Sequence, residues 1–236
     1  MNYFFAALTL FLGLYSLANA QVNVTDVSVT TNIPLLWETE TYVPPFYKGK
    51  ALLPDGGDVR VLALPPANLG DPSALSYTWK VDGVVVDTAS GFGRTFFIAR
   101  SDIFGGSKLI VVEVKRGDSR VGTGAIRVPL VEPSALIYPS LPLAGILFGG
   151  GTRAVASDEI TFEAYPLFFS VPKKQTSDLV YEWSINREYV SNPLGNSGRL
   201  TLRKDAGGSA AVSISLHNQA RVLETADASI EVVFEE

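Results

Sequence analysis

The stretch "SYTWKVDG" at residues 76–83 alternates apolar and polar side chains around a central tryptophan and ends in an Asp-Gly pair. A similar stretch, "VYEWSINR", returns at residues 180–187, roughly one hundred residues later. Alternation with a period of two is typical of a β-strand with one buried face, and Asp-Gly favours a tight hairpin turn. The two stretches therefore predict the same strand, written twice in one chain.

The similarity between the two halves extends well beyond these strands. "DVRVLALP" (58–65) matches "EITFEAYP" (159–166), and "GGSKLIVVEV" (105–114) matches "GGSAAVSISL" (207–216). Gly, Asp and Asn turn signals separate the alternating runs, and no window keeps a helical period. Seven or so short strands in about 100 residues are typical of a β-sandwich. The sequence therefore predicts an all-β protein of two tandem sandwiches.

A Tyr-x-Trp strand in the middle of each unit, a turn after it and a Gly-Gly-Ser lead into an alternating strand resemble the cysteine-free Ig-like and PKD-like repeats of bacterial exported proteins. The resemblance covers nearly all of residues 33–236. It implies a seven-stranded sandwich in each half, with Trp79 and Trp183 as core residues. It also implies a spacer, an adhesive module or a part of a surface assembly rather than an enzyme.

The first twenty residues contain no charged side chain, are mostly apolar and end in Ala18-Asn19-Ala20. This pattern predicts a secretory signal peptide that is cleaved before Gln21. The alternative is an uncleaved membrane anchor, since the apolar run is nearly long enough to span a bilayer. No later run approaches that length, so we expect no membrane span in the mature chain and a secreted, periplasmic or extracellular surface location.

The domain boundaries predicted from the repeat are a signal peptide at 1–20, one Ig-like sandwich at 21–132 and a second at 133–236. Pro129, Pro133 and Pro139 interrupt strand pairing near the boundary without a flexible Gly/Ser stretch. The sequence therefore predicts a stiff rod of two domains.

Composition excludes several classes of function. The net charge of −5, without a Lys/Arg cluster, disfavours nucleic acid and anionic membrane surfaces as partners. The chain has no cysteine and a single histidine, His217, and it carries no nucleophile or phosphate-loop motif. Its few carboxylate pairs lie at turns, where Asp is expected for local hydrogen bonds. We therefore expect no disulfide, no catalytic site, no metal and no cofactor.

The segment "YVPPFYKGK" at residues 42–50 is the first candidate binding surface. Tyr42, Phe46 and Tyr47 could stack against a sugar or a peptide. The alternative is a strand that kinks at Pro44-Pro45, switches sheets and covers an edge.

The segment "PLFFSVPKKQTSD" at residues 166–178 is the second candidate. It is long for a hairpin, and it contains Phe168 and Phe169 where a solvated loop is expected. An exposed aromatic pair marks a partner site. The alternative is a loop that folds back and caps the open end of the sandwich.

A third segment, "VNVTDVSVTT" at residues 22–31, alternates weakly before the first repeat. It either pairs within its own chain or adds as a strand to a neighbouring molecule.

Together these features predict an exported, non-catalytic structural or interaction protein of the cell surface, which presents loops and strand edges on a stiff two-domain rod. The partners that the sequence allows are a surface protein, a polysaccharide or a second copy of the chain. Two alternatives stay open: a periplasmic assembly chaperone, which also has two Ig-like domains, and a carbohydrate-binding accessory module.

Overall fold

A computed structural model describes residues 31–100, 106–140, 151–191, 198–204 and 208–235. In these ranges the regular structure is β-strand, apart from three short 3-10 turns, so the all-β prediction is confirmed. The predicted signal peptide and residues 22–30 of the N-terminal segment lie outside the described residues. Within the described ranges, no helix has the length and apolarity needed to cross a membrane.

The first sandwich is built from ten strands in the described residues. Its larger sheet has the order β1-β10-β9-β5-β6, with β3 added to β10 and β7 to β5, and its smaller sheet has the order β2-β4-β8. The strands are β1 Thr31–Asn32, β2 Leu35–Thr39, β3 Leu53–Pro54, β4 Asp58–Ala63, β5 Ser76–Val81, β6 Val84–Val85, β7 Gly91–Phe92, β8 Phe96–Arg100, β9 Ser107–Arg116 and β10 Ser119–Val131.

The second sandwich repeats this plan with eight strands in the described residues. Its larger sheet has the order β12-β18-β17-β14-β15, and its smaller sheet has the order β11-β13-β16. The strands are β11 Ser134–Pro139, β12 Thr152–Val155, β13 Glu159–Leu167, β14 Leu179–Ile185, β15 Glu188–Val190, β16 Arg199–Arg203, β17 Gly208–Asn218 and β18 Arg221–Phe234. Two tandem β-sandwiches, as the repeat predicted, are therefore confirmed.

The alternation in the sequence separates core from surface in both halves. Trp79 on β5 lies opposite Val112 on β9, and Trp183 on β14 lies opposite Ile214 on β17. The two tryptophans are 0% and 1% exposed, and each belongs to the buried cluster of its own sandwich. The prediction that both are core residues is confirmed. Because each unit has its own apolar core, each has its own source of stability.

The chain from Thr31 onward enters the fold by pairing with β10. At β1, Thr31 pairs in parallel with Gly122 on β10, and Ile33 is 1% exposed. A Cβ atom on Gly122 would lie 2.5 Å from the Ile33 side chain, and one on Gly124 would lie 2.2 Å from the Ile33 carbonyl oxygen. A side chain at position 124 would therefore collide with the Ile33 backbone, whereas one at position 122 would displace the Ile33 side chain.

Both halves use the same crossing from the smaller to the larger sheet. In the first, the chain leaves the smaller sheet at the end of β2 and joins the larger sheet at β3; in the second, β11 and β12 do the same. The sheet switch predicted for residues 42–50 is therefore present. β10 ends at Val131 and β11 begins at Ser134, so only Glu132 and Pro133 separate the two sandwiches. The exact domain boundary stays a prediction.

Candidate interaction site at the junction of the two sandwiches

The two aromatic segments predicted as separate sites contact each other. The backbone N–H of Tyr42 donates to the carbonyl oxygen of Phe169 at 2.8 Å, and that of Phe168 donates to the carbonyl oxygen of Tyr42 at 2.9 Å. This is an isolated antiparallel bridge between a segment of the first sandwich and a loop of the second. The crossing segment of the first half therefore lies against the second half.

Aromatic side chains of the two sandwiches add to this contact. The ring of Phe46 lies 5.0 Å from that of Tyr138 and 5.1 Å from that of Tyr165, both nearly edge to face. The ring of Tyr47 lies 5.6 Å from that of Phe168 in the same geometry. Edge-to-face pairs at these distances are favourable beyond their buried area. We define the aromatic junction as Tyr42, Phe46, Tyr47, Tyr138, Tyr165, Phe168 and Phe169.

The paired phenylalanines of the loop are buried in this junction. Phe168 is 8% exposed and Phe169 is 0% exposed. Phe168 has a φ of 63°, a conformation that costs a bulky residue about 1 kcal/mol or more. Its N–H bonds to Tyr42 in that conformation, so the contact between the sandwiches helps to maintain it. The loop folds back as the second interpretation predicted, while a ligand-binding role for Tyr42, Phe46, Tyr47, Phe168 and Phe169 stays a prediction.

A buried ion pair lies next to the aromatic junction. Lys174 Nζ lies 2.6 Å from Glu163 Oε1, with 6% and 19% of the two side chains exposed. Burial alone would raise the pKa of Glu163, but the hydrogen bond and charge of Lys174 bring it below its ordinary value. Tyr165 donates its hydroxyl to Glu163 Oε2 at 3.0 Å, and its ring lies 3.9 Å from Lys174 Nζ. Burial and that hydrogen bond raise the pKa of Tyr165 to about 12.

Hydrogen bonds from the second sandwich hold the loop that carries the phenylalanines. Glu224 is 1% exposed and accepts from the Ser170 N–H and from Asn218 Nδ2, both at 2.8 Å. Tyr181 donates its hydroxyl to the carbonyl oxygen of Lys174 at 2.9 Å. The second sandwich therefore holds this loop by hydrogen bonds that do not depend on the contact with the first sandwich.

A second, polar contact joins the sandwiches at another place. Arg221, at the start of β18, donates to the carbonyl oxygen of Gly56 and, at 2.8 Å, to Asp58 Oδ2. Arg100 bonds the other oxygen of Asp58 at 3.0 Å. The hydrogen bond from Arg100, and then that from Arg221, lower the pKa of Asp58 against the opposing effect of desolvation. Asp58 is therefore ionised at neutral pH and bridges the two halves.

Sequence reasoning missed several residues of this site. Tyr165 stands at an outward position of the alternating run "EITFEAYP", between the inward Ala164 and the end of the strand. An outward aromatic residue there was a usable signal for a contact. Arg221 and Glu163 gave no comparable signal. Each acts through an ion pair, Arg221 with Asp58 and Glu163 with Lys174, and the sequence does not show which charges meet.

The outer faces of the two smaller sheets differ in chemistry. In the first sandwich, Leu36, Leu62 and Phe96 form one row across β2, β4 and β8, and Leu36 and Phe96 are each 56% exposed. In the second, Thr161 and Thr201 lie opposite each other and share a hydrogen bond of 2.9 Å. The repeats therefore share a core pattern but present different surfaces.

No protein-family model and no curated protein matches this chain. Solved structures that resemble it include three N-terminal domains of the bacteriophage RB49 Highly Immunogenic Outer Capsid protein, at 12% identity over 86% of this chain, with a TM-score of 0.47. They also include the fibronectin(III)-like modules of Clostridium thermocellum CbhA, at 10% identity over 78% of this chain and 88% of that one, with a TM-score of 0.29.

The PKD domain of human KIAA0319 is similar at 13% identity over 44% of this chain and 81% of that one, with a TM-score of 0.29. The chain spans 59% of the phage capsid protein structure. The similar structures include modules named as Ig, fibronectin III and PKD domains. The two tandem β-sandwiches of this chain are shown by its own sheet order.

Proposed function

We propose that this chain is an exported, non-catalytic structural or interaction protein of the cell surface, which presents loops and strand edges on a stiff two-domain rod. The observation that carries the proposal is the double contact between the sandwiches, through the aromatic junction and through Arg221 and Asp58. Export is supported by the signal peptide predicted at residues 1–20, and a non-catalytic role by a sequence without a catalytic motif.

Stiffness follows from the energy needed to separate the two sandwiches. Three edge-to-face aromatic contacts at the junction contribute about 2 to 4 kcal/mol beyond their buried area. A free-energy difference of that size leaves the arrangement in which the sandwiches have separated populated at roughly a few per cent or less. The short connection of Glu132 and Pro133 adds no flexible linker. A rod of this kind holds its exposed loops and faces at constant separation.

Replacing Phe46 with alanine should loosen the rod, because Phe46 makes two of the aromatic contacts across the junction. The chain has no cysteine, so spin labels can be attached at Asp118→Cys in the first sandwich and Glu188→Cys in the second. The distance distribution between the labels, measured by pulsed electron paramagnetic resonance, should be narrow in the parent and clearly broader in F46A.

Phe96→Ala is the matched control for this experiment. Phe96 is 56% exposed on the outer face of the smaller sheet, so its removal should leave the distribution narrow. A broad distribution in the parent would contradict the rod. An unchanged distribution in F46A would show that the aromatic junction does not hold it.

The surface role is tested separately in native cells by cross-linking the tagged chain, from Gln21 onward, and identifying its partners by mass spectrometry. We expect the chain to recover itself or a few surface proteins, because the proposed role is one of interaction and the sequence carries no catalytic motif. If it recovers no protein and is retained in the envelope polysaccharide, a glycan-binding module replaces the protein-assembly role.

A further inference from the structure

The outer faces of the two larger sheets carry opposite charge. We define the basic face by the outward residues of β5, β9 and β10, and the acidic face by the outward residues of β14, β17 and β18. These are equivalent surfaces of the two repeats, because Trp79 and Trp183 mark the same position on β5 and β14. Any difference between the faces therefore concerns the surface and not the core.

The basic face contains four basic side chains and one acid. Lys115 lies opposite Arg120, and Arg127 lies opposite Leu109 on the same surface. Lys80 pairs with Glu113 at 2.6 Å. The hydrogen bond from Lys80 lowers the pKa of Glu113 most, and the charges of Arg120 and Lys115 lower it further. One carboxylate is thus surrounded by an excess of positive charge.

The acidic face contains carboxylates without basic neighbours. Glu182, Ser215 and Asp227 form one row across the three strands, and Glu231 lies further along β18. The outward positions of β14, of β17 and of β18 from Thr225 onward carry no Lys or Arg. Arg221, at the start of β18, lies beyond the register shift and bonds Asp58 of the first sandwich. Within the described residues, none of the three carboxylates takes part in an ion pair; Glu231 accepts only from the Thr152 hydroxyl, at 3.3 Å. The face therefore has a negative charge that its own sandwich does not neutralise.

Each face also has an exposed aromatic side chain on the strand that borders it, near the start of β5 in the first sandwich and near the end of β14 in the second. Phe92 on β7 lies beside Ser76 of β5 and is 72% exposed. Tyr189 on β15 lies beside Ser184 of β14 and is 70% exposed. Exposed aromatic residues beside complementary charge are typical of protein interfaces, where aromatic residues are enriched.

We propose that a second copy of this chain docks its acidic face on the basic face of the first. Charge complementarity identifies the occupant, because the surface that matches each face is present in the chain itself. The inference rests on the proposed stiff rod, which keeps the two faces of one chain from meeting each other. The contact is heterologous, so it forms a closed pair or a longer row of copies according to the directions of the two faces.

The test is sedimentation velocity of the chain from Gln21 onward over a range of concentrations, at low and high NaCl. Salt screens attraction between exposed charges, so association should weaken roughly tenfold or more between 0.05 and 0.5 M NaCl. The whole chain has a net charge of −5, and general repulsion would give the opposite salt dependence. A parent that stays monomeric up to millimolar concentration at low salt would overturn the proposal.

Charge reversal identifies the two faces. The variants K115E/R120E and E182K/D227K should each lose self-association, because each then has two faces dominated by the same sign. An equal mixture of the two should associate again, since the unchanged acidic face of the first variant meets the unchanged basic face of the second. If the mixture stays monomeric, or if either variant alone associates like the parent, the docking of these faces is wrong.

The matched control is R60E/R203E, which changes the net charge by the same amount as K115E/R120E at exposed arginines on the two smaller sheets, outside both faces. It should associate like the parent, and circular dichroism should show that all variants are folded. The spin-label distances separate the two proposals: a narrow distribution without self-association overturns only the docking. If the distance distribution is broad and the chain is a monomer that is more compact at low salt than at high salt, the two faces meet within one chain and the proposed rod is wrong.

Discussion

Replacing Trp183 with alanine should lower the free energy of unfolding of the second sandwich by about 4 kcal/mol, the usual loss when a large buried aromatic residue is removed. Trp183 is 1% exposed and lies in the buried cluster with Ile214 and Phe162. The surrounding strands are hydrogen-bonded on both sides of β14, so they cannot collapse into the space that the indole leaves.

Denaturant unfolding followed by circular dichroism measures the loss, and native-state hydrogen exchange locates it. Exchange should accelerate in β14 and β17, while the first sandwich, with its own Trp79, keeps most of its protection. The control is Tyr189→Ala on the adjacent strand, where a side chain 70% exposed should cost less than about 0.5 kcal/mol. A loss below about 1 kcal/mol for W183A would contradict the assignment of Trp183 to the core.

Replacing Glu163 with glutamine should destabilise the second sandwich by about 3 kcal/mol, because it leaves the buried ammonium group of Lys174 without its counter-charge. The distance between the two charged groups is 2.6 Å, and the Lys174 side chain is 6% exposed. Glutamine keeps the size of the side chain, so the loss reports the charge and not a cavity. The same denaturant titration measures it.

The first sandwich offers a matched control for this substitution. Lys80 and Glu113 are also 2.6 Å apart, but 29% and 24% of their side chains are exposed. Water screens this pair, so Glu113→Gln should cost less than about 1 kcal/mol. The double variant E163L/K174M, which removes both charges, should lose less than E163Q alone. Equal losses of unfolding free energy for E163Q and E113Q would contradict the claim that burial makes the Glu163–Lys174 pair the more important of the two.

Acid should reproduce part of the E163Q effect. The pKa of Glu163 is lower in the folded chain than in the unfolded one, so its ionised form stabilises the fold above the unfolded pKa. That contribution should disappear as the pH falls through the lowered folded pKa. E163Q lacks the carboxyl, so its stability should depend less on pH in this acidic range than that of the parent.

The sequence by itself was sufficient for the fold class, the repeat and the core. Alternation with a period of two is a local property of each strand, and it distinguishes Trp79 and Trp183 as inward residues without knowledge of their neighbours. The sheet switch after β2 was also predictable, since Pro44-Pro45 interrupts a strand whatever the strand pairs with.

Only the tertiary structure brought Phe46 into contact with Tyr165, and Arg221 with Asp58. These pairs are far apart in the sequence, and a composition rich in aromatic residues looks the same whether the rings face a ligand or each other. The charges of the two larger faces likewise required the strand register, which decides whether Lys115 and Arg120 lie side by side. Strand periodicity is encoded locally, whereas contacts between sandwiches depend on the packing of the whole chain, and that is why the sequence predicted the domains but not their junction.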